Sequence, residues 1–256
     1  MAHLRANIHG VPVSALTMSQ ALNEINEWIA KSQRTYVCAL AVHGLTEAQS
    51  APDMREIYHS AGMVVPDGMP LVWLLHGKGH RTAERVCGPD LMPAVFNDSQ
   101  QHGHRHFLYG STEATLSLLQ RELTRRFPRA VIAGSYSPPF RRLSEEEERE
   151  ADDRVNRANP DIVWVGLGAP KQERWMAAHR PFLNAPVLMG VGAAFDIVAG
   201  KVKRAPHFVR RAGCEWIYRL AQEPRRLTGR YLEINSKFVR MIVEDKLRLL
   251  VQHTHT

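Results

Sequence analysis

The sequence predicts an α/β fold: a Rossmann-like, doubly wound, mainly parallel sheet with helices on both faces, followed by a basic amphipathic helical appendage. Three observations carry this. Short apolar and β-branched runs alternate with stretches of helical periodicity through the first two hundred residues or so. Two of those runs end in glycines and open polar helices. They are Ile162-Val163-Trp164-Val165-Gly166-Leu167-Gly168-Ala169-Pro170-Lys171-Gln172-Glu173 and Pro186-Val187-Leu188-Met189-Gly190-Val191-Gly192-Ala193-Ala194-Phe195-Asp196. Beyond Gly200 the alternation stops and a basic stretch of helical spacing takes over.

Each element has its own signal. Ile8 to Val13 reads as a short strand or hairpin. Thr17 starts a helix to Ile29, with Ala21, Leu22, Ile25, Trp28 and Ile29 on one face. Tyr36 to Val42 is a continuous apolar run, expected for a buried parallel strand. Helices are expected at Thr46–Gln49 and Asp53–Ser60, then a strand at Met63–Val65 ended by Pro66-Asp67-Gly68, then a helix at Leu71–Leu75. Arg105–Tyr109 is a strand, Thr112–Phe127 a helix with Ser111 or Thr112 as N-cap, and Ala130–Gly134 a strand. Ser144-Glu145-Glu146-Glu147 is a capped helix start with acidic residues at the favoured end. From Arg225 to Leu250, Leu227, Tyr231, Ile234, Phe238, Ile242 and Leu249 form one apolar stripe.

Charge is segregated along the chain. The net charge is +7, yet residues 200–256 hold thirteen Lys/Arg against five Asp/Glu, whereas residues 1–199 hold twenty against twenty-one. All the positive excess lies in the last fifth, which calls for an anionic partner: lipid, diphosphate or nucleic acid. A basic amphipathic helix suits a membrane surface; the plainer alternative packs its stripe on the core. The chain divides accordingly into an α/β catalytic domain, 1–199, and a membrane-docking appendage, 200–256. No apolar run reaches membrane-spanning length, and no secretory signal is read at the N-terminus. Cys38, Cys87 and Cys214 are odd in number and widely spaced, so free thiols in the cytoplasm are expected.

Glycine turns at strand ends let a backbone approach phosphate, and the helix that follows presents free N–H groups. Two of them make a nucleotide-type ligand the first expectation, although neither matches GxGxxG or GxxxxGK[ST]. Taken with Gly200-Lys201-Val202-Lys203-Arg204-Ala205-Pro206, Gly213-Cys214-Glu215-Trp216-Ile217-Tyr218-Arg219-Leu220 and Glu223-Pro224, the sequence resembles the bacterial WecG/TagA/CpsF glycosyltransferases, family 26. Pro66-Asp67-Gly68-Met69-Pro70, Glu84-Arg85-Val86, Gly88 and Asp90-Leu91 fit as well, and the resemblance spans roughly residues 8–240.

The resemblance implies an inverting transfer from a UDP-sugar donor to a polyprenyl-diphosphate-linked saccharide. It places the enzyme peripherally on the inner face of the plasma membrane. Asp67 is then the general base: Pro66 and Gly68 hold it in a tight turn at a strand end, although an Asp there could also cap the next helix. Arg85, Arg219 and Arg226 are candidates for the diphosphate, because a planar guanidinium binds phosphate bidentately. Lys171 and Gln172 would contact the nucleotide or sugar, and Asp196 would cap the second turn or accept from a ribose hydroxyl. No Asp-x-Asp pair in a metal-binding setting occurs, Asp152-Asp153 read as a solvated helix face, and the thirteen histidines give no convincing ligand set. A reaction with neither metal nor cofactor is expected.

The chain departs from the family pattern at two alanines. Where relatives carry Thr and then Asn, this strand reads Cys38-Ala39-Leu40-Ala41-Val42-His43. Those side chains help line the donor pocket, so Ala39 and Ala41 raise the alternative of an impaired member that still binds UDP-sugar or lipid. His43 and Thr46 are candidates to compensate. Gly229 stands where relatives often carry arginine, with Arg230 beside it. A basic nucleic-acid-binding protein is the weaker alternative, lacking a motif and interleaved aromatics; no nucleic-acid partner is expected. A homo-oligomer is compatible with the chain.

Overall fold

The computed structural model describes residues 3–222, 229 and 234–243. An N-terminal hairpin, β1 (Arg5–Ile8) and β2 (Val11–Ser14), turns through His9 and Gly10, both at positive φ. The Ser14 hydroxyl accepts from the Val64 N–H at 3.0 Å, which fastens the hairpin beside the main sheet. Helix α1 (Met18–Ala30) starts on a reciprocal Thr17–Gln20 capping box and buries Ala21, Ile25 and Trp28.

The sheet then builds through β3 (Thr35–Leu40), α2 (Val42–Ser50), α3 (Pro52–Ser60), β4 (Met63–Pro66), α4 (Met69–Gly77) and α5 (Gly88–His102). It continues through β5 (Arg105–Gly110), α6 (Glu113–Arg126), β6 (Val131–Tyr136), α7 (Glu145–Ala158), β7 (Ile162–Gly166), α8 (Lys171–His179), β8 (Val187–Gly190) and α9 (Ala194–Val198). The strand order is β4-β3-β8-β7-β5-β6 and every pairing is parallel. Alternate strand residues feed two cores. Tyr36, Cys38, Leu40, Val163, Val165 and Leu188 pack with Leu45, Met54, Val155 and Met176 of α2, α3, α7 and α8. Val37, Ile162, Trp164 and Met189 pack with Ile25, Phe96, Leu119 and Phe195 of α1, α5, α6 and α9. This is the doubly wound arrangement expected.

Three features differ from expectation. Strand β3 ends at Leu40, and Val42, expected within it, opens α2. Helix α5 has no counterpart among the sequence expectations; Pro89 lies in its first turn, and burial of Leu91, Met92, Val95 and Phe96 outweighs Pro93. Asp152 is not on a solvated face: it is 7% exposed and bonds His179 Nδ1 at 2.8 Å.

Past Gly200, α10 (His207–Arg211) and α11 (Glu215–Gln222) follow, and residues 234–243 are helical. Ile234 is 8% exposed, and Phe238 and Met241 pack against the α2/α3-side core, so this part of the stripe lies on the body. Val239 and Val243 stay exposed. Leu227, Tyr231, Leu249 and Arg226 lie outside the described residues. No helix among the described residues is long and apolar enough to cross a membrane.

Candidate active site

Because the sheet is parallel, all its strands end on one edge, where open α/β sheets hold ligands. Asp67 stands there, directly after β4. Its backbone N–H extends the parallel pairing to the Leu40 carbonyl at 2.8 Å. The N-cap of α4 is Gly68, which has no side chain with which to cap it. Its charge acts on two neighbours, Arg85 and Cys87, which the Val86 N–H bond to Pro66 O brings alongside. Ala39 and Ala41 end the adjoining strand, both partly exposed, and Ala41 is the N-cap of α2 with no side-chain cap bond.

The two glycine turns meet each other. A Cβ on Gly192, at φ +49, would lie 3.8 Å from Gly168 Cα and 3.3 Å from Gln172 Oε1. Gly190 gives the same amide its room, since a Cβ there would stand 3.2 Å from Gln172 Nε2. Gln172 is therefore buried beneath both turns rather than projecting to solvent. Its Nε2 donates to Glu173 Oε1 at 3.0 Å, while its Oε1 has no partner among the described residues. Glu173 is fully buried, and burial pushes its carboxyl pKa above the usual value against the Gln172 hydrogen bond. Lys171 is exposed on the first turn of α8. Asp196 caps nothing with its side chain; it accepts from Thr115 Oγ1 at 3.4 Å and pairs with Lys201 Nζ at 3.3 Å, beside the start of α6.

Arg85 is held inside an ionic cluster that sequence reasoning did not assemble. Its Nη1 donates to Glu215 at 2.8 Å and its Nη2 reaches Asp90 at 3.4 Å. Arg204 grips Asp90 at 2.7 Å, and Arg210 stands 3.7 Å away. Burial would raise the Asp90 pKa, but the Arg204 hydrogen bonds and charge prevail and hold it well below the carboxylate range. The Nε atoms of Arg204 and Arg210 are buried with no partner among the described residues. Arg204 and Glu215 stood in motif blocks without a role assigned, and only the fold reveals that they converge on Arg85. Arg219 lies on α11, but its side chain is outside the described residues. Of the histidines, His102 and His104 gather with Asp98 at the far end of α5.

The sequence matches the glycosyl transferase WecG/TagA/CpsF family over residues 6–252. The chain belongs to this family. It is a glycosyltransferase. Among similar proteins is the N-acetylglucosaminyldiphosphoundecaprenol N-acetyl-beta-D-mannosaminyltransferase of Bacillus spizizenii, 33% identical over 70% of this chain and 68% of the relative. The enzyme of the same name from Staphylococcus aureus is 27% identical over 87% of each chain. That from Bacillus subtilis is 30% identical over 76% of this chain and 73% of its own. The family match thus spans both glycine turns and most of the basic segment of this transferase.

Proposed function

We propose that the chain transfers a sugar, of the N-acetylmannosamine class, from a UDP-sugar to a polyprenyl-diphosphate-linked saccharide during cell-surface polysaccharide assembly. The observation that carries this reading is Asp67 directly after a strand end, electrostatically coupled to Arg85. The names of the relatives support the sugar and the lipid-linked acceptor.

In the proposed step the acceptor hydroxyl oxygen attacks the anomeric carbon from the face opposite UDP, which inverts that centre. The new C–O bond forms as the bond to UDP breaks, the electron pair leaves with UDP, and Asp67 takes the hydroxyl proton. Arg85, Arg204 and Arg210 hold the departing diphosphate charge, with Arg219 and Arg226 as further donors. The buried Nε atoms of Arg204 and Arg210, without an acceptor among the described residues, support that role. Lys171 lies at the mouth of the donor turns, Gln172 shapes their floor, and Asp196 orders their outer edge. With arginines carrying the charge, the step is proposed to need no metal. Exposed Phe208, Ile217, Val239 and Val243 beside basic residues support docking of residues 200–256 on the inner membrane face. A second reading, reduced turnover with retained UDP-sugar binding, is favoured by the bare Ala39 and Ala41 at the same strand end.

Asp67→Asn tests the proposal. UDP release with lipid-linked acceptor should fall by about 10²–10⁴-fold while UDP binding persists. Undiminished turnover in that variant would end the assignment.

A further inference from the structure

We infer that Asp98, His102 and His104 form a site for one divalent transition-metal ion of the Zn²⁺ class, at the end of the fold opposite the crevice. The local sequence builds it. Asp98 and His102 are four apart on the last turn of α5 and so share a face. Gly103, in the left-handed conformation at φ 71, ends the helix and turns His104 back toward them. One ligand atom from each of the three lies within 4.8 Å of the others.

The hydrogen bonds around the cluster set the histidines for ligation. Asp98 Oδ2 can only accept, so the Asn26 amide bonded to it at 2.8 Å presents its NH₂ there. The Asn26 Oδ1 consequently faces His104 Nε2 at 2.9 Å and can only accept from it. The His104 proton therefore sits on Nε2, leaving the Nδ1 lone pair for a metal. His102 Nδ1 lies 3.1 Å from the Asp98 carbonyl oxygen and 3.3 Å from Asp98 Oδ2, so this nitrogen faces the carboxylate and a metal between the two would take the place of its proton. The two rings stack at 5.3 Å and 9°. A metal-ligating imidazole donates its other N–H to an oxygen acceptor, as His104 Nε2 does to Asn26 Oδ1.

The cluster opens on a cleft of about 520 Å³ that is also lined by Asn23, Asn26 and Glu27. Water can fill the remaining coordination position from that side. Ligand atoms around tetrahedral zinc stand about 3.3 Å apart. His102, with a side chain 45% exposed, has room to close the difference. Two imidazoles and one carboxylate favour zinc, copper or nickel over magnesium or calcium. Helix α5 runs fifteen residues from Gly88 at the crevice, so its far end lies about 20 Å from that crevice. The ion would act on the scaffold, bracing the α5–β5 junction.

The test uses the full chain, stripped with chelator, with His253→Ala and His255→Ala as background so that the terminal pair cannot bind. Titration calorimetry with ZnCl₂ should give one ion per chain. At 100-fold excess over Kd the Tm should rise by about 5 °C or more, and MgCl₂ should leave it unchanged. Asn26→Ala should weaken zinc about 10–100-fold. His102→Gln, at an exposed position, should keep the fold by circular dichroism and abolish the Tm rise. Equal zinc affinity in His102→Gln and its parent, an equal response to MgCl₂, or no binding below millimolar zinc would each overturn the inference.

Discussion

Replacing Ala41 by Asn should stabilise this transferase by about 1 kcal/mol, within the 0.5–2 kcal/mol that separates a good N-cap from alanine. Ala41 is the N-cap of α2, with φ −101 and ψ 172, the extended geometry in which a side-chain oxygen reaches the amides two and three residues on. Those amides belong to His43 and Gly44, and Ala41 has no side chain with which to cap them. Ala41 is partly exposed, so an Asn side chain fits without displacing core. For a domain of this size the gain corresponds to a Tm rise of about 2–4 °C. Scanning calorimetry reads it, and urea unfolding with an unchanged m-value confirms that the native state gained. Ala39→Thr is the control: its position lies within β3, where no cap is possible, so its Tm should hardly move. If these side chains also line the donor pocket, each variant should tighten UDP-sugar binding about fivefold, the equivalent of about 1 kcal/mol. A Tm unchanged or lowered in Ala41→Asn, with affinity improved, would refute the capping argument and leave only the pocket role.

Three further outcomes are expected. Glu173 titrates higher in the fold than its unfolded value of about 4.3, so the stability linked to it is full below that pH and is lost as pH rises through the folded pKa. Glu173→Gln should therefore gain stability relative to the parent as pH goes from 4 to 8 in urea titrations; a pH-independent difference would contradict the burial assignment. Glu215→Gln should release Arg85 from its 2.8 Å pair and tighten UDP binding severalfold by calorimetry, whereas weaker binding would show that Glu215 positions Arg85. Gly213→Ala should cost about 1–2 kcal/mol, because φ is +71 and the new Cβ would stand 2.7 Å from Trp73 Cη2. Unchanged urea stability together with unchanged tryptophan emission would count against that contact.

What the sequence disclosed was local, and what it concealed was brought together by the fold. Thr17 with Gln20, and Ser144 with Glu147, announce helix starts across three residues, and both capping boxes form. The glycine turns were readable because Gly166, Gly168, Gly190 and Gly192 follow apolar strands directly. Helix α5 was hidden by Pro89 and Pro93, which local propensity treats as breakers although a buried face overrides them. Asp152 looked solvated because its partner, His179, comes 27 residues later on another helix. Arg85 could be nominated for phosphate, but its pairing with Glu215, 130 residues on, has no local signature.

That long-range pairing gives the basic segment its place in the proposed chemistry. Gly213 approaches Met69 and Trp73 of α4, the helix that starts two residues after Asp67. Glu215 holds Arg85, and Arg204 holds Asp90, so the segment after Gly200 is anchored to the start of α5 and the residues just before it. Three guanidinium groups meet two carboxylates in that cluster, leaving one positive charge before Asp67 is counted. A diphosphate brings more negative charge than this surplus neutralises, so its arrival must compete with Asp90 or Glu215 for the arginines. Asp90 is the harder to displace, because Arg204 grips it with both terminal nitrogens while Glu215 has a single contact to Arg85. On the proposed function, the Arg85–Glu215 pair is the one expected to yield to the diphosphate. Since Glu215 opens α11, its release would pass substrate binding directly to the appendage proposed to meet the membrane.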